Sequence, residues 1–345
     1  MEERCTTRQL GVAVFTALLA PASALPRGLA QGGALGWLAL GVVFPLAALV
    51  AWRLERLGNE GLAARLQGPL GKAVLTLYYI WAVALCALTA GSCVDRLGRT
   101  DYGGVPGWAM AVALGLVSAY LICKGRGSFL RAAEIFYLAL VAVLVLLFVL
   151  GAADLRWDNL RPAGGGEWQG VLRGTMGAGA TLSVGALAAF FPRTPRGPEE
   201  SPLWRWLAGW CAVAAGLCVL VIGALGPKLT AQAPLPFFLA LQGIGFPGGF
   251  QRLEALCTAA WVLSDLTLLG LAALAAKRMA GDRGWAAAPP LLAAVLGGCL
   301  LPNNAVEGAS TVLYGVNLAL GAAVPVVLSL LPRGGRETAR RISCG

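Results

Sequence analysis

Apolar runs alternate with short polar loops ten times along this chain, at about residues 9–32, 34–52, 70–94, 107–123, 131–151, 168–191, 204–226, 250–276, 286–302 and 308–331. A bilayer core is crossed by about 20 mainly apolar residues, so each run predicts one span. The strict alternation of a barrel strand is not seen, and an open sheet leaves its backbone unpaired in lipid, so every span is expected to be a helix. The fold class expected is therefore all-α: one polytopic membrane domain over residues 1–345, with ten spans.

Two of these runs carry breakers. The first holds Pro21 and Pro26, the sixth a run of glycines from Gly174 to Gly185. Proline removes a backbone donor and glycine loosens a helix, so both are expected to interrupt their spans. Breaks in spans 1 and 6 of ten occupy matching positions in two halves of five. That pattern points to a five-plus-five inverted repeat with a ligand site at the midplane. Close helix packing is the other use of such glycines, and small residues recur throughout the chain.

Composition agrees with the span reading: 58% of residues are hydrophobic and 13% charged. The net charge of +10 raises nucleic acid as a partner, but the basic residues sit in short loops, not on one patch. With the amino terminus inside, 19 of the 27 Lys and Arg fall on the inner side, which predicts both termini cytoplasmic and an even number of spans. The first run is expected to be retained as a span rather than removed as a signal peptide. The nine cysteines show no Cys-x-x-Cys spacing and read as small buried hydrophobes. There is no histidine. Together with the absence of nucleophile-elbow, phosphate-loop and zinc motifs, this argues against an enzyme, and no cofactor or metal is expected.

Charged residues within or at the mouth of a span are costly and usually have a partner or a task. Arg252, Glu254 and Asp265 are of this kind. Glu254, Thr258, Trp261 and Asp265 share one face of span 8, and Glu254 and Asp265 lie about 16 Å apart along the axis. Arg252 points elsewhere and is expected to anchor the outer end. Arg131 and Glu134 are expected to pair at the inner end of span 5, and the proline-rich segment 227–249 to cover a vestibule or pack on neighbouring spans.

Several segments resemble the spore germination permease family, the B subunits of germinant receptors. They are Thr7-Arg8-Gln9-Leu10, the stretch Leu25 to Ala30 with Gly36-Trp37, and Arg131 to Ile135. Asp154-Leu155 with Asn159 to Pro162 and Gly226-Pro227-Lys228-Leu229 follow. The most specific is Phe250 to Leu256 with Trp261. The similarity covers roughly residues 6–332. It implies membership of the amino acid, polyamine and organocation transporter superfamily, a LeuT-like fold, residence in the spore inner membrane, a small nutrient germinant that is often an amino acid, and receptor A and C subunits as partners. Two positions depart from the family pattern. Pro21-Ala22 stands where many members have Gly-Ser, and Ala186 where many have glutamate after the glycine.

The expected ligand site is built from Ala22, Ser23 and Ala24 of span 1, from Gly177, Gly179, Thr181, Ser183 and Gly185 of span 6, and from Thr258 and Trp261 of span 8. The expected function is a germinant-sensing subunit embedded in the membrane. A secondary transporter of small solutes and a structural subunit with a closed pocket remain as alternatives.

Overall fold

The computed structural model describes residues 4–56, 61–66, 68–100, 106–153, 155–161, 167–194, 202–243, 253–281 and 284–330. Almost all of them are helical, in the order α1 (Thr7–Ala17), α2 (Leu19–Leu29), α3 (Leu38–Arg56), α4 (Leu62–Arg65), α5 (Pro69–Gly98), α6 (Gly107–Lys124), α7 (Arg126–Ala153), α8 (Glu167–Ser183), α9 (Leu203–Leu225), α10 (Pro227–Gln232), α11 (Pro236–Gln242), α12 (Leu253–Met279), α13 (Gly284–Cys299), α14 (Asn303–Leu318) and α15 (Val324–Leu330). Tighter 3-10 turns follow α2 and α8, and a π turn, Ala319–Ala323, joins α14 to α15.

Among the described residues, seven helices are long and apolar enough to cross a membrane, and the bent α1–α2 pair makes an eighth. The two remaining expected spans are helical but weaker. In α8, Glu167, Gln169, Arg173 and a series of glycines dilute the apolar character. α13 has 16 residues, fewer than the about 20 of a full crossing.

Burial orders the bundle. α12 is apolar on all sides and is the most enclosed long helix, whereas α7 and the α14–α15 unit show most of their surface to the surroundings. α12 packs along α5, α1, α6 and α7, and α5 packs in turn on α13. Small residues permit these approaches: a Cβ on Gly298 of α13 would collide with the Ala87 carbonyl of α5, and one on Gly91 would lie 2.7 Å from the Gly298 carbonyl. Between α9 and α10 the chain turns through Gly226 at φ 80°, ψ 157°, a region open only to glycine.

The breaks differ from expectation in place. The first span bends by 48° at Leu18, ahead of Ala22, Ser23 and Ala24, which are α-helical within α2. The sixth stays α-helical through Ser183 and tightens into a 3-10 turn, Val184–Phe190. Arg131 and Glu134 lie on α7 without an ion pair between them. Within the proline-rich segment, residues 227–243 form α10 and α11, which pack on α2 and α9, with α11 also on α12. Seven of the eight described cysteines are buried, and Cys123 is exposed.

Candidate functional site

The bend in the first span has a local cause. In a regular helix the Ala20 N–H pairs with the Thr16 carbonyl, and residue 21 pairs with the Ala17 carbonyl. Pro21 has no N–H, and the Ser264 side chain of α12 stands in the gap. Its hydroxyl accepts from the Ala20 N–H at 2.7 Å and donates to the Thr16 carbonyl at 2.7 Å, with the Ala17 carbonyl at 3.3 Å. A side chain inserted into the ladder is a known origin of a kink. The Trp210 indole donates to the Leu18 carbonyl at 2.9 Å and holds the bend from the α9 side.

The next residue, Asp265, is fully enclosed and pairs with Arg96 near the end of α5. A helical side chain leans toward the amino terminus of its helix, so Arg96 in the last turn of α5 reaches back into the bundle. Ser264 and Asp265 therefore tie one point on α12 to two elements: the first-span bend and the third span.

α5 is also joined to the far helices. Tyr78 donates to the Leu320 carbonyl of the π turn at 2.6 Å, and Trp81 donates to Asn317 at 2.7 Å. Polar contacts thus hold α5 at two places about 22 Å apart along the helix, on α14 and the π turn at Tyr78 and Trp81 and on Asp265 at Arg96.

The expected site residues separate into two groups. Ser23 and Trp261 meet at a small cavity of about 30 Å³, with Leu19, Ala20, Phe237 and Ala260 also in its lining. Such a space holds a water molecule but lies far below the 300 Å³ or more of a usual ligand pocket. Trp261 is flanked there by the rings of Phe237 and Phe238, and Ala22 is buried beside it on α2.

Gly179, Ser183 and Gly185 instead line a separate groove of about 550 Å³ between α3, α8 and α14–α15. The two groups do not share one pocket in this conformation. Ala186, at the position where the family resemblance leads one to expect glutamate, lines the groove too, so its wall stays apolar. Thr181 is buried, Gly177 half-buried and Ala24 exposed.

The site hydroxyls are engaged locally. Thr181 donates to the Gly177 carbonyl at 3.0 Å, Ser183 to Gly179 at 2.7 Å, Thr258 to Glu254 at 2.9 Å and Ser23 to Ala20 at 2.6 Å. Each keeps oxygen lone pairs able to accept from an ammonium group or an amide. Glu254 is half-buried at the start of α12, and Arg252 lies outside the described residues. Among the described residues, no cluster of three or more His, Cys, Asp or Glu is placed to hold a metal ion.

Sequence reasoning singled out Asp265 but missed Ser264 and Arg96. A lone serine inside an apolar run carries no signal of its own, and Arg96 reads as an outer-loop cation.

The sequence profile described as spore germination protein matches residues 8–280. The chain belongs to the spore germination protein family. Membership makes it a permease-type membrane protein rather than a member of an enzyme family. No curated protein matches the chain. Among solved structures, a mutant form of a manganese transporter from Eremococcus coleocola aligns over 97% of this chain and 72% of its own at 16% identity, with a TM-score of 0.41. That likeness is too loose to transfer any detail to this family member.

Proposed function

We propose that the chain is the germinant-sensing B-type subunit of a spore germination receptor. In this reading it resides in the spore inner membrane with both termini cytoplasmic, acts with A and C subunits, and has the five-plus-five inverted repeat of a ten-span permease. The observation that carries it, beside family membership, is the bend in the first span, held open by Ser264 next to the buried Asp265–Arg96 pair. Backbone groups freed from the helical ladder, beside a hydroxyl and an aromatic ring, suit a small zwitterion such as an amino acid.

The ligand belongs between α2 and α12, with Ala22, Ser23, Thr258 and Trp261 around it and Thr181 facing from span 6. At about 30 Å³ the cavity there is too small for an amino acid in the conformation described here. Binding must then separate α2 from α12, and a ligand that favours the separated form shifts the population toward it. Ser264 and Asp265 pass that separation to α5 and to the π turn.

The test is reconstitution of the purified chain in liposomes with labelled amino acids. Saturable binding without flux, and a germination response only with the partner subunits, is the expected result. Sustained uptake by the chain alone would make it a secondary transporter. Absence of both, with Ser23→Leu and Thr181→Leu leaving germination unchanged, would make it a structural subunit.

A further inference from the structure

The first and sixth spans are joined by hydrogen bonds at their amino-terminal-side ends, away from the bend. There Cys5 and Arg193, both buried, form an isolated parallel bridge between segments far apart in the chain. The Pro192 carbonyl accepts from the Cys5 N–H at 3.2 Å and from its thiol at 3.0 Å. The Cys5 carbonyl accepts in turn from the Thr194 N–H at 3.0 Å and from its hydroxyl at 3.3 Å. The segment that receives Cys5 is itself anchored: the Arg193 guanidinium donates to the Leu54 carbonyl of α3 at 3.1 Å, and the next residue of α3, Glu55, accepts from the Leu203 N–H at the start of α9. Cys5 stands two residues before α1, whose start is fixed by a capping box between Thr6 and Gln9. What holds Cys5 therefore holds α1.

α1 fills the amino-terminal half of its span. Every residue from Leu10 to Ala17 is buried, against α7, α12 and α9. Val14 sits so near Gly185 that a Cβ there would lie 3.1 Å from it. Eleven residues reach about 16 Å, about half of a roughly 30 Å bilayer core. A solute held between α2 and α12 is separated from the amino-terminal side by the length of α1. At their other ends the same two spans meet through packing: Gly170 lies against the Gln31–Gly32 backbone, and no backbone hydrogen bond joins them there among the described residues.

We propose, resting on the ligand position given above, that residues 4–6 are a strap that keeps α1 seated and the amino-terminal side of the site shut, so that ligand enters and leaves by the opposite side alone. The solute is then sensed and not carried through. Few hydrogen bonds hold the strap, so it can open locally while the bundle stays folded.

The test uses the full chain in nanodiscs for labelling and exchange, and in liposomes for uptake. In the parent, Cys5 should react with a maleimide no faster than buried Cys218, with or without a saturating mixture of amino acids. Thr194→Pro removes both donors to the Cys5 carbonyl, and at about fivefold for each hydrogen bond lost it should speed Cys5 labelling more than tenfold while Cys218 stays protected. Thr194→Val, which loses only the hydroxyl bond, should give a smaller rise of the same kind. Removal of residues 2–5 leaves the Thr6 cap in place. It should raise hydrogen exchange at residues 7–17 by a similar factor, leave α12 protected, and permit an uptake of labelled amino acids that the parent lacks.

Cys5 labelling that rises when amino acids are added to the parent would overturn the proposal. So would unchanged exchange at residues 7–17 in the shortened chain, or Cys5 labelling that speeds up only together with Cys218. Labelling and exchange need no ligand, so they separate the two readings. Altered exchange without any amino acid binding would refute the ligand position and leave the strap standing, whereas binding with unchanged exchange would refute the strap alone.

Discussion

Ser264 ties α12 to the first span through a single hydroxyl that meets three backbone groups of the bend. Replacing it with alanine leaves the Ala20 N–H and the Thr16 and Ala17 carbonyls without this partner in a buried place. An unsatisfied buried group costs about 1–3 kcal/mol, so Ser264→Ala is expected to lower thermal stability in detergent clearly, while Ser264→Thr keeps the hydroxyl and most of the stability. Unchanged melting of the alanine variant would show that the wedge carries no weight.

The neighbouring ion pair follows a different rule. Removing one member of a buried pair costs about 3–5 kcal/mol, because the other is left charged and alone, whereas an apolar pair of similar volume is often tolerated. Asp265→Leu and Arg96→Met should each destabilise strongly, and the double variant should recover a large part of the loss. Additive losses would mean the two side chains act independently. Cys5 offers a check outside the spans: burial pushes its thiol up to about 11, and it donates to the Pro192 carbonyl at 3.0 Å. The folded state therefore holds this proton more tightly than the unfolded chain, and the stability it contributes, full below about pH 9, falls as pH rises toward about 11. Below about pH 9 a maleimide should label exposed Cys123 and spare Cys5, with mass spectrometry of the peptides as the readout.

At the scale of elements, hydropathy made the helices legible and tertiary contacts decided where they bend. The described residues of the ten apolar runs are mostly helical, since an apolar run has few other ways to satisfy its backbone, but only seven of the helices, or eight with the bent pair, are long and apolar enough to cross a membrane. The kink was legible in kind through Pro21 but not in position. The residue that fixes it at Leu18 sits 244 positions away from Ala20, beyond any local pattern. Arg96 was illegible for a related reason: only the direction of its side chain and the packing of α5 on α12 bring it to Asp265. The same packing gives an element-scale prediction. Gly298 and Gly91 let α13 and α5 approach backbone to backbone, and overpacking of such a contact costs about 1–3 kcal/mol. Gly298→Val should destabilise the chain, whereas at Gly297 an added Cβ meets nothing within 4 Å, and Gly297→Ala should melt with the parent. Equal melting of both variants would count against the close α5–α13 seam.

For the whole molecule, the question is whether the bend, the buried pair and the π turn move as one unit. The polar links all converge on α5 and α12: Leu320 to Tyr78, Asn317 to Trp81, Asp265 to Arg96, and Ser264 to the first span. A ligand wedged between α2 and α12 would therefore have to pull on α12 first, and α12 can yield only by loosening Ser264 or by carrying α5 with it. These routes give opposite readings in hydrogen exchange. If α12 carries α5, a saturating amino acid germinant lowers protection at residues 317–323, far from the ligand, and Tyr78→Phe, which loses the bond to Leu320, abolishes that distant change without altering affinity at the first span. If Ser264 simply lets go, exchange rises only around residues 16–22, and Tyr78→Phe leaves the response intact. The first outcome is expected, because breaking the Ser264 contacts takes a hydrogen-bond partner from backbone groups in a dry interior, the Ala20 N–H among them, whereas moving α5 with α12 preserves their large shared seam.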